Sequence, residues 1–151
     1  MPYQSTKVYG HELGLSACFR QHRARSHCNL LHGYALSFKF VFEAETLDDR
    51  NWVQDFGGLK SLKKALVNMF DHKLLVAEDD PQLDMLCSLT GLGLAEVEVL
   101  PAVGCEAFAK LAYDMAESLI TGAQILTGQR VRVVSCECAE HGANSAIYIG
   151  E

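Results

Sequence analysis

The stretch from His32 to Glu45, HGYALSFKFVFEAE, restricts the fold more than any other part of the chain. Tyr34, Leu36, Phe38, Phe40 and Phe42 fall on one face, and Ser37, Lys39 and Glu43 fall on the other. A period of two with aromatic residues on one side describes a half-buried antiparallel strand. Such a strand needs paired neighbours and a layer of helix or sheet over its apolar face.

The rest of the chain supplies both. Residues 7 to 19 read as a first, weaker strand, and the polar, basic run Arg20 to Leu31 reads as a long functional connection. Asp55 is placed to cap a helix in which Phe56, Leu59, Leu62, Leu66, Met69 and Phe70 recur at helical spacing, with Gly57 and Gly58 weakening its first turn. Asp79-Asp80-Pro81 breaks the chain. A short helix is expected after it, then a glycine-rich turn near 91 to 93 and a strand at Val97 to Leu100. A second amphipathic helix is expected from about Cys105 to Ile120, carrying Phe108, Leu111, Met115 and Leu119 on one stripe. Strands at Arg130 to Cys138 and Ser145 to Gly150 close the chain. The order predicts one α+β domain over residues 1 to 151, a four-stranded antiparallel sheet with two helices on one face. The uncovered face then calls for oligomerisation.

Charge narrows the partners. Nineteen acidic residues against thirteen Lys and Arg give a formal charge of −6, with no basic stripe to neutralise phosphates, so no nucleic-acid partner is expected. No run of about eighteen apolar residues exists, so no membrane span is expected. The opening MPYQSTKVYGHE lacks the apolar core of a signal peptide, which points to the cytoplasm. There the six cysteines are free thiols, ligands or nucleophiles.

Three clusters carry candidate chemistry. His22, His27, Cys28 and His32 crowd one connection, and a cysteine among histidines can be held as a thiolate nucleophile or base; a buried thiol beside surface histidines is the plain alternative. Asp71-His72 follows the first amphipathic helix, where the Asp can orient and charge the imidazole; a favourable helix C-terminus explains it equally. Glu140, in Glu140-His141-Gly142-Ala143-Asn144, offers two acceptors to a planar guanidine-like edge such as that of a pterin, or simply belongs to a polar hairpin loop. Cys136 and Cys138 share a strand face, which suits a soft metal but better suits apolar packing.

In sequence these clusters resemble the 6-pyruvoyl-tetrahydropterin synthase and 6-carboxy-tetrahydropterin synthase family. The family pattern is an apolar strand ending in His, then Cys-x3-His-Gly-His, Asp-Phe, Asp-His-x-x-Leu, and a Glu ahead of the last strand. Here it reads Cys28-Asn29-Leu30-Leu31-His32-Gly33-Tyr34, then Asp55-Phe56, then Asp71-His72-Lys73-Leu74-Leu75, then Glu140 before Ile147-Tyr148-Ile149-Gly150-Glu151. Only the segment Val76 to Val103 is longer than the pattern.

The resemblance implies the tunnelling fold, an oligomeric barrel of trimers stacked into a hexamer with active sites between subunits. It implies that Cys28 exchanges a proton with the substrate, aided by Asp71 and His72 of a neighbouring subunit, while Glu140 anchors the pterin ring and Glu106 lines the same pocket. The implied substrate is 7,8-dihydroneopterin triphosphate. The implied product, 6-carboxy-tetrahydropterin, feeds queuosine and 7-deazaguanine synthesis. Triphosphate elimination of the 6-pyruvoyl type and pterin binding without catalysis are the alternatives. Arg20, Arg23 and Arg25 are candidates to meet the triphosphate.

One departure matters. The family holds zinc with three histidines, and two of those positions fall here on Phe19 and Tyr34, leaving His32. Residues i and i+2 of a strand point the same way, so His-Gly-His converges two imidazoles on one ion; Phe19 cannot ligate, and protonated Tyr34 ligates poorly. Three explanations stay open. His22 or His27 rebuilds a site with His32 for Zn2+ or another divalent metal; the enzyme works without metal, with Tyr34 polarising a substrate hydroxyl; or the protein binds pterins without converting them.

Overall fold

A computed structural model describes all residues from Met1 to Glu151. Seven strands and three α-helices follow the order β1 (Tyr3–Tyr9), β2 (Leu15–Phe19), β3 (His32–Ala44), α1 (Lys60–Phe70), β4 (Lys73–Ala77), α2 (Leu83–Gly91), β5 (Glu96–Leu100), α3 (Cys105–Ala123), β6 (Val131–His141) and β7 (Asn144–Ile149). The sheet order is β5-β4-β2-β3-β6-β7, and β1 pairs with the far half of β3.

The long alternating strand is the spine. On one edge it takes β2 over Leu36 to His32 and β1 over Ala44 to Phe38; on the other it takes β6. Leu36, Phe38, Phe40 and Phe42 are each 0 % exposed and lie under α1 and α3. Phe38 stacks against Phe70 of α1, which meets Phe108 of α3 edge-on. The two expected helices therefore do cover one face.

The expected first strand is two strands. A 3-10 turn at His11–Leu13, closed by Gly14 at φ +74°, separates β1 from β2, so the edge of β3 is filled by two segments end to end. Asp55 caps as expected, accepting from the Gly57 amide at 2.9 Å, but the turn it caps is a 3-10 turn at Phe56–Leu59 holding both glycines. The regular helix starts at Lys60.

The four-stranded antiparallel sheet is the main correction. The sheet has seven strands and is mixed, because β4 runs parallel to both β2 and β5, with α2 as the crossover. Leu74, Leu75, Val76 and Ala77 are all buried, which is the signature of a strand covered on both faces. Leu75 joins the main core, while Leu74 and Val76 pack with Leu86 of α2 in a second, smaller core on the opposite face. A five-residue strand that shows no alternation carries no period-two signal, so the sequence pattern passes over it. The short helix and the strand at its far side appear where the sequence placed them. No helix is long and apolar enough to cross a membrane.

Candidate active site

The end of β3 nearest its start is built of rings. Phe19 stands opposite His32, and Ala17 opposite Tyr34, so Phe19, His32 and Tyr34 rise on one face. Ring centroids lie 5.4 Å apart for Phe19–His32, 5.4 Å for His32–Tyr34 and 6.1 Å for Phe19–Tyr34. Phe108 of α3 backs Phe19 edge-on, and His141 at the end of β6 stands 6.1 Å from Tyr34. Gly33 separates His32 from Tyr34 because β2 comes too close for a side chain: a Cβ there would sit 2.7 Å from the Ala17 carbonyl oxygen.

His32 Nδ1 donates to the Leu30 carbonyl at 2.7 Å, so the neutral ring presents an unprotonated Nε2. Burial pushes the Tyr34 hydroxyl above the usual phenol range, with Glu140, Cys28 and Cys105 in its surroundings adding to the effect. Tyr34 therefore keeps its proton at neutral pH and is a donor there. Cys28 and Glu140 thus lie within electrostatic range of Tyr34, without a hydrogen bond to it. Cys105, which the sequence pattern missed, lies in the same range; its one available signal was a position next to Glu106 at the start of α3.

Cys28 lies in a 3-10 turn at His27–Asn29. Ser26 Oγ accepts from its amide at 3.3 Å, and the Gln21 amide donates to its carbonyl at 2.9 Å. The thiol is half-buried. Glu140 precedes the last residue of β6, and its carboxylate enters none of the ion pairs of the chain. Glu106 is exposed in the first turn of α3, a position favoured by the helix dipole and adjacent to Gly104, against which the Gln21 side chain packs.

Asp71 and His72 sit elsewhere. The His72 amide donates to the Ser16 carbonyl at 2.6 Å, and Asp71 Oδ1 accepts both the Ser16 amide at 3.1 Å and His72 Nδ1 at 2.9 Å. His72 has φ +58°, a left-handed conformation uncommon for a non-glycine residue, though His is among those that adopt it most readily. Its side chain is 83 % exposed over a cleft of about 310 Å³ lined by Ser16, Cys18, Leu31 and Lys73. Ser16 and Cys18 are on the face of β2 opposite Ala17 and Phe19. Within one chain, then, His72 overhangs the face of the sheet opposite the Phe19–His32–Tyr34 rings.

One expectation needs correction. Arg20 does not await a phosphate. Its guanidinium is bidentate to Asp80, at 2.9 and 2.7 Å, and reaches Asn29 as well. Arg23 pairs with Asp79, which also takes His22 Nε2 at 3.0 Å, and only Arg25 stays outside these pairs. Of the explanations left open for the altered zinc positions, a set rebuilt within one chain does not form: nowhere do three His, Cys, Asp or Glu side chains converge as a metal set. His22 is turned to Asp79, His27 is exposed, and His32 has two carbon-faced rings beside it. The residues present do not fit a zinc ion. Cys136 and Cys138 are 0 % exposed; burial pushes the first thiol up, and a hydrogen bond with Cys105 followed by burial pushes up the second. They are packed thiols rather than a ligand pair.

Comparison with known proteins identifies the family and the fold. The chain is 27 % identical over 139 residues to the 6-carboxy-5,6,7,8-tetrahydropterin synthase of Aquifex aeolicus, covering 89 % of this chain and 83 % of that one. Its fold superposes with a TM-score of 0.82 on an uncharacterized protein, WS1659, of Wolinella succinogenes, at 20 % identity over 100 % of this chain and 99 % of the other. It superposes with a TM-score of 0.66 on the 6-pyruvoyl tetrahydropterin synthase of Plasmodium falciparum, at 14 % identity over 97 % and 96 % of the two chains. The sequence profile of the 6-pyruvoyl tetrahydropterin synthase family matches residues 10–151, nearly the whole length, and the chain belongs to that family.

Proposed function

We propose that the protein is a lyase of the 6-carboxy-tetrahydropterin synthase type, acting on 7,8-dihydroneopterin triphosphate in the supply of 7-deazaguanine precursors for queuosine. The observation that carries this reading is the Phe19–His32–Tyr34 ring cluster at the start of β3, with Cys28 and Glu140 within electrostatic range of Tyr34. In this reading Glu140 accepts two hydrogen bonds from the guanidine-like edge of the pterin. Cys28 exchanges a proton with the side chain of the substrate. Tyr34 donates its retained proton to a side-chain hydroxyl, in the place where a metal would otherwise polarise it.

Asp71 and His72 complete the set from a second copy of the chain. The outward display of His72, over the face opposite the rings, suits a site shared across a subunit boundary. The open sheet edges suit such an assembly: Ile147 and Ile149 on β7 are 59 % and 69 % exposed, and Tyr3 and Val8 on β1 are similarly bare. Edge strands of this kind invite pairing with another chain. A closed ring of three, stacked in pairs, satisfies every β1 and β7 edge.

Purified protein incubated with 7,8-dihydroneopterin triphosphate should release acetaldehyde and form 6-carboxy-tetrahydropterin without added metal. Cys28→Ala should abolish turnover and leave pterin binding intact, while Glu140→Gln should weaken binding by about tenfold or more. Tight binding of pterin with the substrate unchanged after long incubation would reject the enzyme in favour of a pterin-binding protein.

A further inference from the structure

We infer that the Arg20–Asp80–Asn29 network is a positioning device that fixes the Cys28 turn, with the connection between β4 and α2 supplying its carboxylate. This rests on the reading of Cys28 as the reactive thiol.

Asp80 stands out first. It is the one charged or polar residue buried in the chain, its carboxylate 2 % exposed. A buried carboxylate is costly unless its partner is fixed and its remaining oxygen capacity is used. Both conditions hold. Arg20 Nε and Nη2 donate to its two oxygens, and the Gln82 amide donates to Oδ1 at 2.8 Å. The Arg20 guanidinium holds the Asp80 carboxyl below the usual carboxylate range.

A planar fork bound at two points has no rotational freedom left. The third corner of that fork is aimed at the turn. Arg20 Nη1 donates to the Asn29 carbonyl at 3.2 Å and to its Oδ1 at 3.1 Å. Asn29 Nδ2 in turn donates to the carbonyls of His22 and Ala24, at 3.1 and 3.3 Å. The Gln21 amide closes the ring on the Cys28 carbonyl. Residues 21 to 29 are thereby gathered on one side chain, Asn29, which is next in the chain to Cys28. Asp79 clasps the same connection a second time through His22 and Arg23.

The connection has little else to hold it. None of the residues of its 3-10 turn is buried, and Leu30 and Leu31 beyond it are exposed. Apolar packing does not set the Cys28 position; the hydrogen-bonded fork does. The carboxylates come from a turn 60 and 57 residues along the chain from Arg20 and His22, so the arrangement couples the β4–α2 connection to the thiol.

Asn29→Ala tests this with the ion pair left intact. The alkylation rate of Cys28, resolved by peptide mass spectrometry, should change by about fivefold or more. Turnover should fall by about tenfold or more in kcat, with KM within about threefold, as expected for a misplaced group. Asp80→Asn should shift the same two readouts, and Asp80→Glu should restore part of them. A folded Asn29→Ala protein with unchanged Cys28 alkylation and unchanged kcat would overturn the proposal. So would variants that lower the melting temperature alone. The alkylation readout needs no substrate, so failure of the pterin chemistry in the wild-type protein would show separately and leave this test standing.

Discussion

Converting Phe19 and Tyr34 to histidine tests whether the rings at the start of β3 occupy a metal-site geometry with the wrong atoms. Three imidazoles on one tetrahedral zinc, with Zn–N near 2.0–2.1 Å, place their ring centroids about 5.2 Å apart. The present separations are 5.4, 5.4 and 6.1 Å. A Phe19→His, Tyr34→His protein therefore needs adjustments of under about 1 Å to close on an ion through His32 Nε2 and the two new rings. Without metal it should be less stable. Phe19 is 1 % exposed and packs on Phe108 at 5.1 Å, so burying an imidazole there costs on the order of 2–4 kcal/mol. Zinc at a hundredfold excess over its dissociation constant gives about 2.7 kcal/mol back. For a domain of this length that is roughly 5–11 °C in melting temperature. Thermal melts with chelator and with zinc, together with the metal content after gel filtration, measure both effects. The double variant should hold about one zinc per chain, and the wild-type protein should show neither retention nor shift. A wild-type protein that keeps stoichiometric zinc would refute the reasoning. So would a folded double variant that takes none.

Two further outcomes follow from the same coordinates. Gly33→Ala puts a Cβ 2.7 Å from the Ala17 carbonyl oxygen, a backbone atom that cannot swing aside, so β2 and β3 must part. Urea unfolding should report a loss of about 1–3 kcal/mol, and a loss under about 0.5 kcal/mol would show that the strands give way freely. The second outcome concerns acid. Arg20 lowers the folded-state pKa of Asp80, so the stabilisation is full above the unfolded carboxylate value near ~3.9 and is lost as pH falls through the lower folded one. The stability advantage of wild type over Asp80→Asn should hold from neutral pH to about pH 4 and narrow below it; an advantage constant down to pH 2 in urea titrations would contradict the assignment.

The legible parts of the fold were those with a period. β3 announced itself through alternating aromatics, and α1 and α3 through apolar stripes, because each is amphipathic and long enough to repeat. β4 was illegible for the opposite reason: with both faces covered it has no polar phase to alternate with. The split of β1 from β2 depends on Gly14 taking a left-handed turn, which one glycine among twelve does not advertise. At the site, Cys28 and Glu140 were named from their neighbours in sequence and Tyr34 from the family pattern; all three lie toward the end of the sheet where β3 begins and β6 ends. The loop arginines were misread because charge alone says nothing about partners. Asp79 and Asp80, which claim Arg23 and Arg20, are remote in sequence and looked like punctuation.

β2 is a partition with different furniture on each side. Ala17 and Phe19 face the ring cluster, while Ser16 and Cys18, one residue out of phase, face the cleft under His72. Inserting or deleting a single residue in this five-residue strand would turn it inside out, sending Phe19 toward the cleft and Cys18 toward the rings. A substitution there disturbs one side chain; a change of length exchanges them all. The turn at Gly10 to Gly14, just upstream, is where the chain can grow or shrink without exchanging the two rooms.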